Sequence, residues 1–172
     1  AECSDEHPMD AASATDNCGD VTIEETMVTL PGACAGDYVM ERTFTATDAC
    51  GNSTSATQVI TIIDTTAPEF TSVPADYTAE CSDEHPLDAA SASDNCGEVT
   101  ITVVADTTAG NCTGSYTVVR TFTATDDCGN ASSATQTITI IDTTAPVLTI
   151  PADYTAECSD EHPLGDASAV DN

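Results

Sequence analysis

The sequence predicts an all-β protein built of tandem repeats, each a small β-sandwich held by two disulfides. Three observations lead to this fold class. The segment AECSDEHP begins at Ala1, again at Ala79 and again at Ala156, so the period is 78 and then 77 residues. Alternating apolar and polar residues recur within each period, and the chain has nine cysteines. A period of this length suits one small domain per repeat rather than one coil of a solenoid.

The repeats are separated by the linker Asp-Thr-Thr-Ala-Pro, which occurs twice. We expect a first repeat over residues 1–64 without its first strand, a complete second repeat over 65–142 and a truncated third over 143–172. The chain stops where the next cysteine of the pattern would come, which favours a window cut from a longer array. The alternative is that the last segment donates a strand to the first repeat of another molecule.

The strands follow from apolar residues at every second position. In the second repeat, residues 99–103 alternate between β-branched apolar residues and threonine, and over residues 135–140 Gln136, Ile138 and Ile140 alternate with threonine. Over residues 116–126 one face carries Tyr, Val, Arg, Phe and Ala, and the other is chiefly threonine. This period is typical of half-buried antiparallel strands, and no segment has the 3.6-residue apolar stripe of a helix. Turns rich in glycine and asparagine separate the runs, at residues 95–97, 109–111 and 128–130.

The composition limits the class of partner. The chain has 30 acidic residues, two arginines and no lysine, for a formal net charge of −28. Nucleic-acid binding and attraction to an anionic membrane both need cationic clusters that this sequence lacks. No apolar run approaches the length of about 20 residues needed for direct membrane insertion. So many carboxylates instead favour a divalent cation, and the cysteine density indicates an oxidising, extracellular compartment.

Each full repeat has four cysteines, spaced by 15, 16 and 16 residues. These spacings lack the short knuckle of a zinc site and favour disulfides. Because successive strands run up and down a sandwich, the first and third cysteines of a repeat should share one end, and the second and fourth the other. We therefore predict four bridges: Cys3–Cys34, Cys18–Cys50, Cys81–Cys112 and Cys96–Cys128. The partner of Cys158 is expected to lie beyond Asn172.

The acidic residues recur at fixed positions. In this topology an Asp-Asn pair, an Asp before the fourth cysteine and the linker Asp meet at one end of each domain. Oxygen donors from turns and a linker suit Ca²⁺, so we predict calcium at each junction, whereas any single Asp of this kind more often serves only its own turn. The predicted ligands are Asp16, Asn17 and Asp48 in repeat 1, Asp64, Asp94, Asn95 and Asp126 at the first junction, and Asp142, Asp171 and Asn172 at the next.

Other polar residues are more often structural. Arg42 and Arg120 occupy equivalent positions on the strand face that is predicted to point inward. Each should therefore form an internal ion pair with a carboxylate. The histidine of the AECSDEHP block, His85 in repeat 2, is expected to be a solvated loop residue rather than a metal ligand. Threonine-rich strand faces could bind carbohydrate or ice, although threonine is also common on any exposed strand.

The motifs DNCG, RTFTATD-x-CGN and DTTAP resemble the HYR-like, immunoglobulin-like repeats of large bacterial cell-surface and secreted proteins. The resemblance implies immunoglobulin-like sandwiches in extracellular stalks, adhesins or matrix fibres, with Ca²⁺ held in the linkers. The resemblance implies that Asp64 and Asp142 bind the ion from the linkers. It implies that the ligands in the turns are Asp16, Asp94, Asp171, Asp48 and Asp126. The four cysteines per repeat depart from simpler HYR domains.

The sequence therefore predicts a structural and adhesive extracellular fibre or stalk, made of calcium-stiffened, disulfide-stapled repeats. Its expected partners are neighbouring repeats and other copies in a filament. A carbohydrate- or ice-binding module, whose partners include surface glycans, is the alternative. No arrangement of nucleophile, base and oxyanion donor is recognisable, so we expect no enzyme activity.

Overall fold

The structure is a computed structural model that describes residues 1–3, 5–7, 9–161 and 165–171. The predicted all-β class is confirmed, since these residues contain eleven strands and no helix. None of the described segments is therefore a helix that could cross a bilayer. The strands are β1 (Val21–Pro31), β2 (Tyr38–Asp48), β3 (Ser53–Ile62), β4 (Glu69–Ser72), β5 (Tyr77–Glu80), β6 (Ser91–Ser93), β7 (Val99–Ala109), β8 (Tyr116–Asp126), β9 (Ala131–Ile141), β10 (Val147–Thr149) and β11 (Ser168–Val170).

The strands form two larger sheets and two short pairs. The order of the first sheet is β1-β2-β3, with β2 antiparallel to both neighbours. The second has the order β5-β9-β8-β7, and β5 runs parallel to β9 with Tyr77 opposite Ile138. The short antiparallel pairs are β4 with β6 and β10 with β11. Threonine and β-branched residues dominate the long strands because they pack well on a pleated surface.

The contacts divide the chain into two compact units that do not follow the repeat boundaries. Unit 1 consists of Ala1–Pro74, Ala89–Val104 and Thr121–Thr135. Unit 2 consists of Ala75–Asp88, Ala105–Arg120 and Gln136–Asn172. Segments of the second repeat thus pack with the first repeat inside unit 1. The boundaries at residues 64 and 142 remain a prediction about the sequence period.

The buried apolar core is small in each unit. Phe122 and Ala124 of β8 are buried in unit 1 together with Ile62 of β3. In unit 2 the buried apolar residues are Ile138 and Ile140 of β9. The inward parity that alternation predicts for β8 and β9 is therefore confirmed. Cores of this size contribute little stability to domains of this length, so covalent and ionic cross-links carry more weight.

The two arginines are buried, as their strand parity predicts. Arg42 donates from Nε to Glu25 Oε1 at 2.7 Å and from NH1 to Gln58 Oε1 at 3.0 Å, which is the expected clamp on a carboxylate. This hydrogen bond from Arg42 lowers the pKa of Glu25. Arg120 donates to Gln136 Oε1 at 2.8 Å. Repeat 2 has valine at the position that corresponds to Glu25.

The predicted disulfide pairing is wrong. The structure contains two bridges between repeats, with Cα atoms 5.8 Å apart in Cys3–Cys96 and 5.0 Å apart in Cys34–Cys128. The prediction assumed that each repeat closes on itself. In unit 1, however, the turns with the second and fourth cysteines of repeat 2 pack against the first and third cysteines of repeat 1. The bridges Cys3–Cys34 and Cys96–Cys128 are thereby excluded, and Cys18, Cys50, Cys81, Cys112 and Cys158 are free, so Cys18–Cys50 and Cys81–Cys112 are absent too.

Candidate metal centre

The linker aspartate Asp64 lies just after β3 and is buried, with 7% of its surface exposed. Its Oδ1 accepts a hydrogen bond from the backbone N–H of Thr66 at 3.1 Å, which gives the linker a local turn. Its own backbone N–H donates to Asp37 Oδ1 at 2.9 Å. The DTTAP sequence thus folds onto the turn between β1 and β2 and holds the Asp64 side chain inside unit 1.

Asp126 ends strand β8 and is equally buried. Its Oδ1 accepts hydrogen bonds from the backbone N–H groups of Cys128 at 2.8 Å and Asn130 at 2.9 Å. Its Oδ2 accepts a hydrogen bond from Asn130 Nδ2 at 2.9 Å. Burial raises the pKa of Asp126, but these hydrogen bonds outweigh it and leave the pKa below its usual value. Asn130 Nδ2 also donates to the carbonyl oxygen of Asp64 at 3.2 Å, so this turn holds the linker.

Asp94 precedes the turn that carries Cys96. One carboxylate oxygen, Oδ1, accepts the backbone N–H of Cys96 at 2.8 Å. The other, Oδ2, is buried and has no hydrogen-bond partner. A buried carboxylate oxygen without a donor is costly, since native proteins pair nearly all such atoms. Asp94 therefore presents an unsatisfied negative oxygen in unit 1.

The charges of this cluster act on one another. Burial raises the pKa of Asp64, and the nearby carboxylates of Asp94, Asp126 and Glu2 raise it further, against the opposing hydrogen bond from Thr66. Ligand atoms of Asp64, Asp126 and Cys128 lie within 4.8 Å of one another, as do those of Glu2, Asp64 and Cys96. Both cysteines of these groups are in disulfides, so only the carboxylate oxygens are left as anionic donors. Such a donor set fits Ca²⁺ better than Zn²⁺.

Two residues of the cluster were missed in the sequence. Glu2 accepts hydrogen bonds from the backbone N–H of Thr65 at 3.2 Å and from the Thr65 hydroxyl, which lower its pKa. Glu80 makes the same pair of contacts with Thr143, so the recurrence of Glu in the AECSDEHP block was a usable signal. Asp37 could not be found in this way, because repeat 2 has serine at its position.

The other predicted ligands fall into two groups. In unit 1, Asp16 and Asp48 line one pocket of about 220 Å³. Asp48 accepts hydrogen bonds from Asn52, which lower its pKa. In unit 2, the charges of Asp142 and Asp171 both act on the thiol of Cys81. Asn17 is exposed, Asn95 lies beside the Cys96 sulfur, and Asn172 is outside the described residues.

The histidine of the AECSDEHP block is less solvated than expected. His85 is half-buried in unit 2 and lines a mainly apolar cavity of about 220 Å³ with Tyr77, Leu87 and Tyr116. Groups of three close metal-ligand atoms in the described part of the chain contain carboxylates and cysteines, but no histidine. The structure therefore gives this residue no part in the carboxylate cluster.

Comparison with known proteins supports the resemblance in the sequence. Residues 70–140 match the family model of the HYR-like domain with 4 cysteines. Among solved structures, the chain is similar to the protocadherin GammaB4 extracellular domain at 17% identity and a TM-score of 0.33. That similarity covers 77% of this chain and 29% of the protocadherin chain, so this chain spans less than a third of that structure. No curated protein matches the chain.

Proposed function

We propose that this chain, whose residues 70–140 match the HYR-like domain with four cysteines, is a segment of an extracellular adhesive fibre or stalk stiffened by Ca²⁺. One observation carries the proposal. The buried carboxylates of Asp64 in the linker and Asp126 in a turn of the next repeat lie close together in unit 1, and the charge of Asp94, which has one buried oxygen, acts on Asp64. In unit 1, Arg42 is paired with Glu25, which lies outside this cluster.

Calcium would act on the junction by joining elements that are distant in sequence. Asp64 belongs to the linker, whereas Asp94 and Asp126 belong to turns of the second repeat. A cation held by all three would replace their mutual repulsion with coordination, and Glu2 is a further donor nearby. The linker would then be fixed to both turns, and bending between successive repeats would become costly. This is the physical basis of the proposed stiffness.

The extracellular location rests on the cysteines and on the family. Disulfides persist in oxidising compartments, and the two bridges of unit 1 connect residues 93 and 94 positions apart. Bridges that close such long segments would be lost in a reducing cytosol. Repeats of this kind supply length, which suits a spacer between a cell surface and its contacts. Neighbouring repeats and other copies in a filament are the proposed partners.

Small-angle scattering combined with limited proteolysis tests the proposed function. In Ca²⁺ we expect a single extended particle whose DTTAP linker resists cleavage. In EDTA we expect a broader distribution of distances and cleavage near Asp64. The variant Asp106→Asn changes one exposed carboxylate of β7 and should behave as the unaltered chain does. Identical scattering curves and cleavage patterns with and without Ca²⁺ would sink the proposal.

The alternative, a carbohydrate- or ice-binding face, is less well supported. Threonine and serine hydroxyls on the first sheet form hydrogen bonds across strands, between Thr43 and Thr57 at 3.0 Å and between Thr45 and Ser55 at 2.9 Å. Hydroxyls that satisfy each other have less capacity left for sugar or ordered water. Retention of the chain on immobilised glycans, lost on substitution of these threonines, would favour this alternative.

A further inference from the structure

The two bridges of unit 1 follow one rule. Cys3 and Cys34 are the first and third cysteines of repeat 1, and Cys96 and Cys128 are the second and fourth of repeat 2. The first cysteine of one repeat thus bonds to the second of the next, and the third bonds to the fourth. Neither bridge lies within a repeat.

The free cysteines are those that the same rule leaves for other neighbours. In repeat 2 they are the first and third, Cys81 and Cys112. In repeat 1 they are the second and fourth, Cys18 and Cys50. The rule would join Cys81 and Cys112 to a following repeat, and Cys18 and Cys50 to a preceding repeat. If disulfides had failed to form at random, the free cysteines would not be the first and third of one repeat and the second and fourth of the other.

Unit 2 already contains the approach to such a bridge. Strands β10 and β11 pair there as β4 and β6 pair in unit 1, so the segment that leads toward the second cysteine of the third repeat follows the same path. Asp171 corresponds to Asp94, which stands two residues before Cys96. The charges of Asp142, Glu80 and Asp171 all act on the thiol of Cys81. Asp171 is therefore close to Cys81, as the rule requires.

The turn that would receive the incoming cysteine is also in place. In unit 1, a Cβ on Gly36 would lie 3.1 Å from the Cβ of Cys96, so glycine makes room for the bridging turn. The equivalent Gly114 stands two residues after Cys112, and a Cβ there would lie 3.5 Å from the Cys81 sulfur. Cys81 and the turn of Cys112 thus share one end of unit 2, as Cys3 and the turn of Cys34 do in unit 1.

We propose that successive repeats of this type are joined by two disulfides, so that Cys81 and Cys112 bond to the second and fourth cysteines of a following repeat, and Cys18 and Cys50 to the first and third of a preceding one. The inference rests on the array in the proposed function but not on calcium. It makes every junction a double covalent link in addition to the backbone. A chain nicked in its DTTAP linker would then stay together until it is reduced.

Each bridge forms by thiol–disulfide exchange with a small-molecule disulfide such as oxidised glutathione. The two thiols lose two protons and two electrons as the sulfur–sulfur bond forms, and the small-molecule disulfide is reduced to two thiols.

Disulfide mapping of a lengthened chain tests the inference. A copy of residues 96–142 is added directly after Asn172, with Glu98→Gln and Ala131→Ser in the copy as mass markers. The chain is folded in a glutathione buffer, alkylated, digested without reduction and analysed by mass spectrometry. We expect Cys81 linked to the copy of Cys96, and Cys112 linked to the copy of Cys128. Both thiols should be alkylated in the unextended chain.

A control variant replaces the copied second and fourth cysteines with serine, which should restore alkylation of Cys81 and Cys112. A Cys81–Cys112 peptide, or full alkylation of both in the lengthened chain, would overturn the inference. Because mapping in EDTA should give the same peptides, loss of the calcium effect alone would contradict the proposed function and leave this inference standing.

Discussion

Asp64 is the buried carboxylate that belongs to both groups of close ligand atoms in the candidate metal centre. Its pKa in the folded protein is raised, chiefly by burial and by neighbouring carboxylates. A raised pKa means that folding favours the protonated form, so this contribution to stability is fully present below the unfolded pKa of about 3.9 and is lost as pH rises through the folded pKa. At neutral pH the ionised Asp64 therefore destabilises the native state unless a cation is bound.

The variant Asp64→Asn should have opposite effects in the two metal states. In EDTA at pH 7 we expect a higher melting temperature, because one repelling charge is removed while the oxygen that accepts the Thr66 N–H is kept. In Ca²⁺ we expect a lower one, by about 2–4 °C for each kcal/mol of stability lost. The gain in EDTA should vanish below about pH 3.9, where Asp64 is protonated in both states.

Circular dichroism melts measure this reversal, with Asp106→Asn as a variant that removes one charge outside the cluster. A lower melting temperature for Asp64→Asn in both EDTA and Ca²⁺ would contradict the role of Asp64 as a ligand.

Gly36 is a second residue on which the junction depends. A Cβ there would come within 2.8 Å of the Asp64 Cβ, closer than real contacts allow. We expect Gly36→Ala to lower the free energy of unfolding by about 1–3 kcal/mol through overpacking, measured by urea titration. Gly97→Ala is the matched control, since its nearest neighbour would be at 3.9 Å. Equal effects of the two substitutions would contradict the close approach at Gly36.

Sequence reasoning reached some residues of the site because they recur. Asp64, Asp94 and Asp126 each have a counterpart one period away, at Asp142, Asp16 and Asp48 respectively. The buried oxygen of Asp94 and the contact of Asp37 with the linker depend on tertiary packing. Asp37 has no acidic counterpart in repeat 2, so no pattern in the sequence marked it.

Among the strands, β8 shows how far alternation predicts packing. Its inward positions include Phe122, which is 2% exposed, whereas Val119 on the other parity is 39% exposed. We expect Phe122→Ala to lower the free energy of unfolding by about 3–5 kcal/mol, because it leaves a cavity in a small core. Val119→Ala should change it by less than about 0.5 kcal/mol. Comparable losses in urea titrations of both variants would contradict the assigned faces.

The disulfides show where element-level reasoning stops. Strand direction within a repeat placed the first and third cysteines at one end and the second and fourth at the other. The choice of partner was wrong because the turns of Cys96 and Cys128 meet repeat 1 rather than each other. The direction of the strands within one repeat does not predict that turns of the second repeat pack against the first.

For the molecule as a whole, the net charge of −28 predicts a strong response to salt. Self-repulsion should weaken as the Debye length falls from about 30 Å at 0.01 M to about 3 Å at 1 M salt. In EDTA we expect the melting temperature to rise steadily with sodium chloride. With Ca²⁺ bound the rise should be smaller, because part of the repulsion has already been neutralised. A melting temperature independent of salt in EDTA would contradict this account.

The most direct test of the calcium-stiffened junction is anomalous diffraction from crystals grown in Ca²⁺. We expect a difference peak in unit 1 within about 2.3–2.6 Å of carboxylate oxygens of Asp64 and Asp126, with Asp94 or Glu2 completing the shell. The peak should be absent from crystals of Asp64→Asn grown under the same conditions. A well-ordered map of the unaltered protein in Ca²⁺ with no anomalous peak between these carboxylates would contradict the central claim.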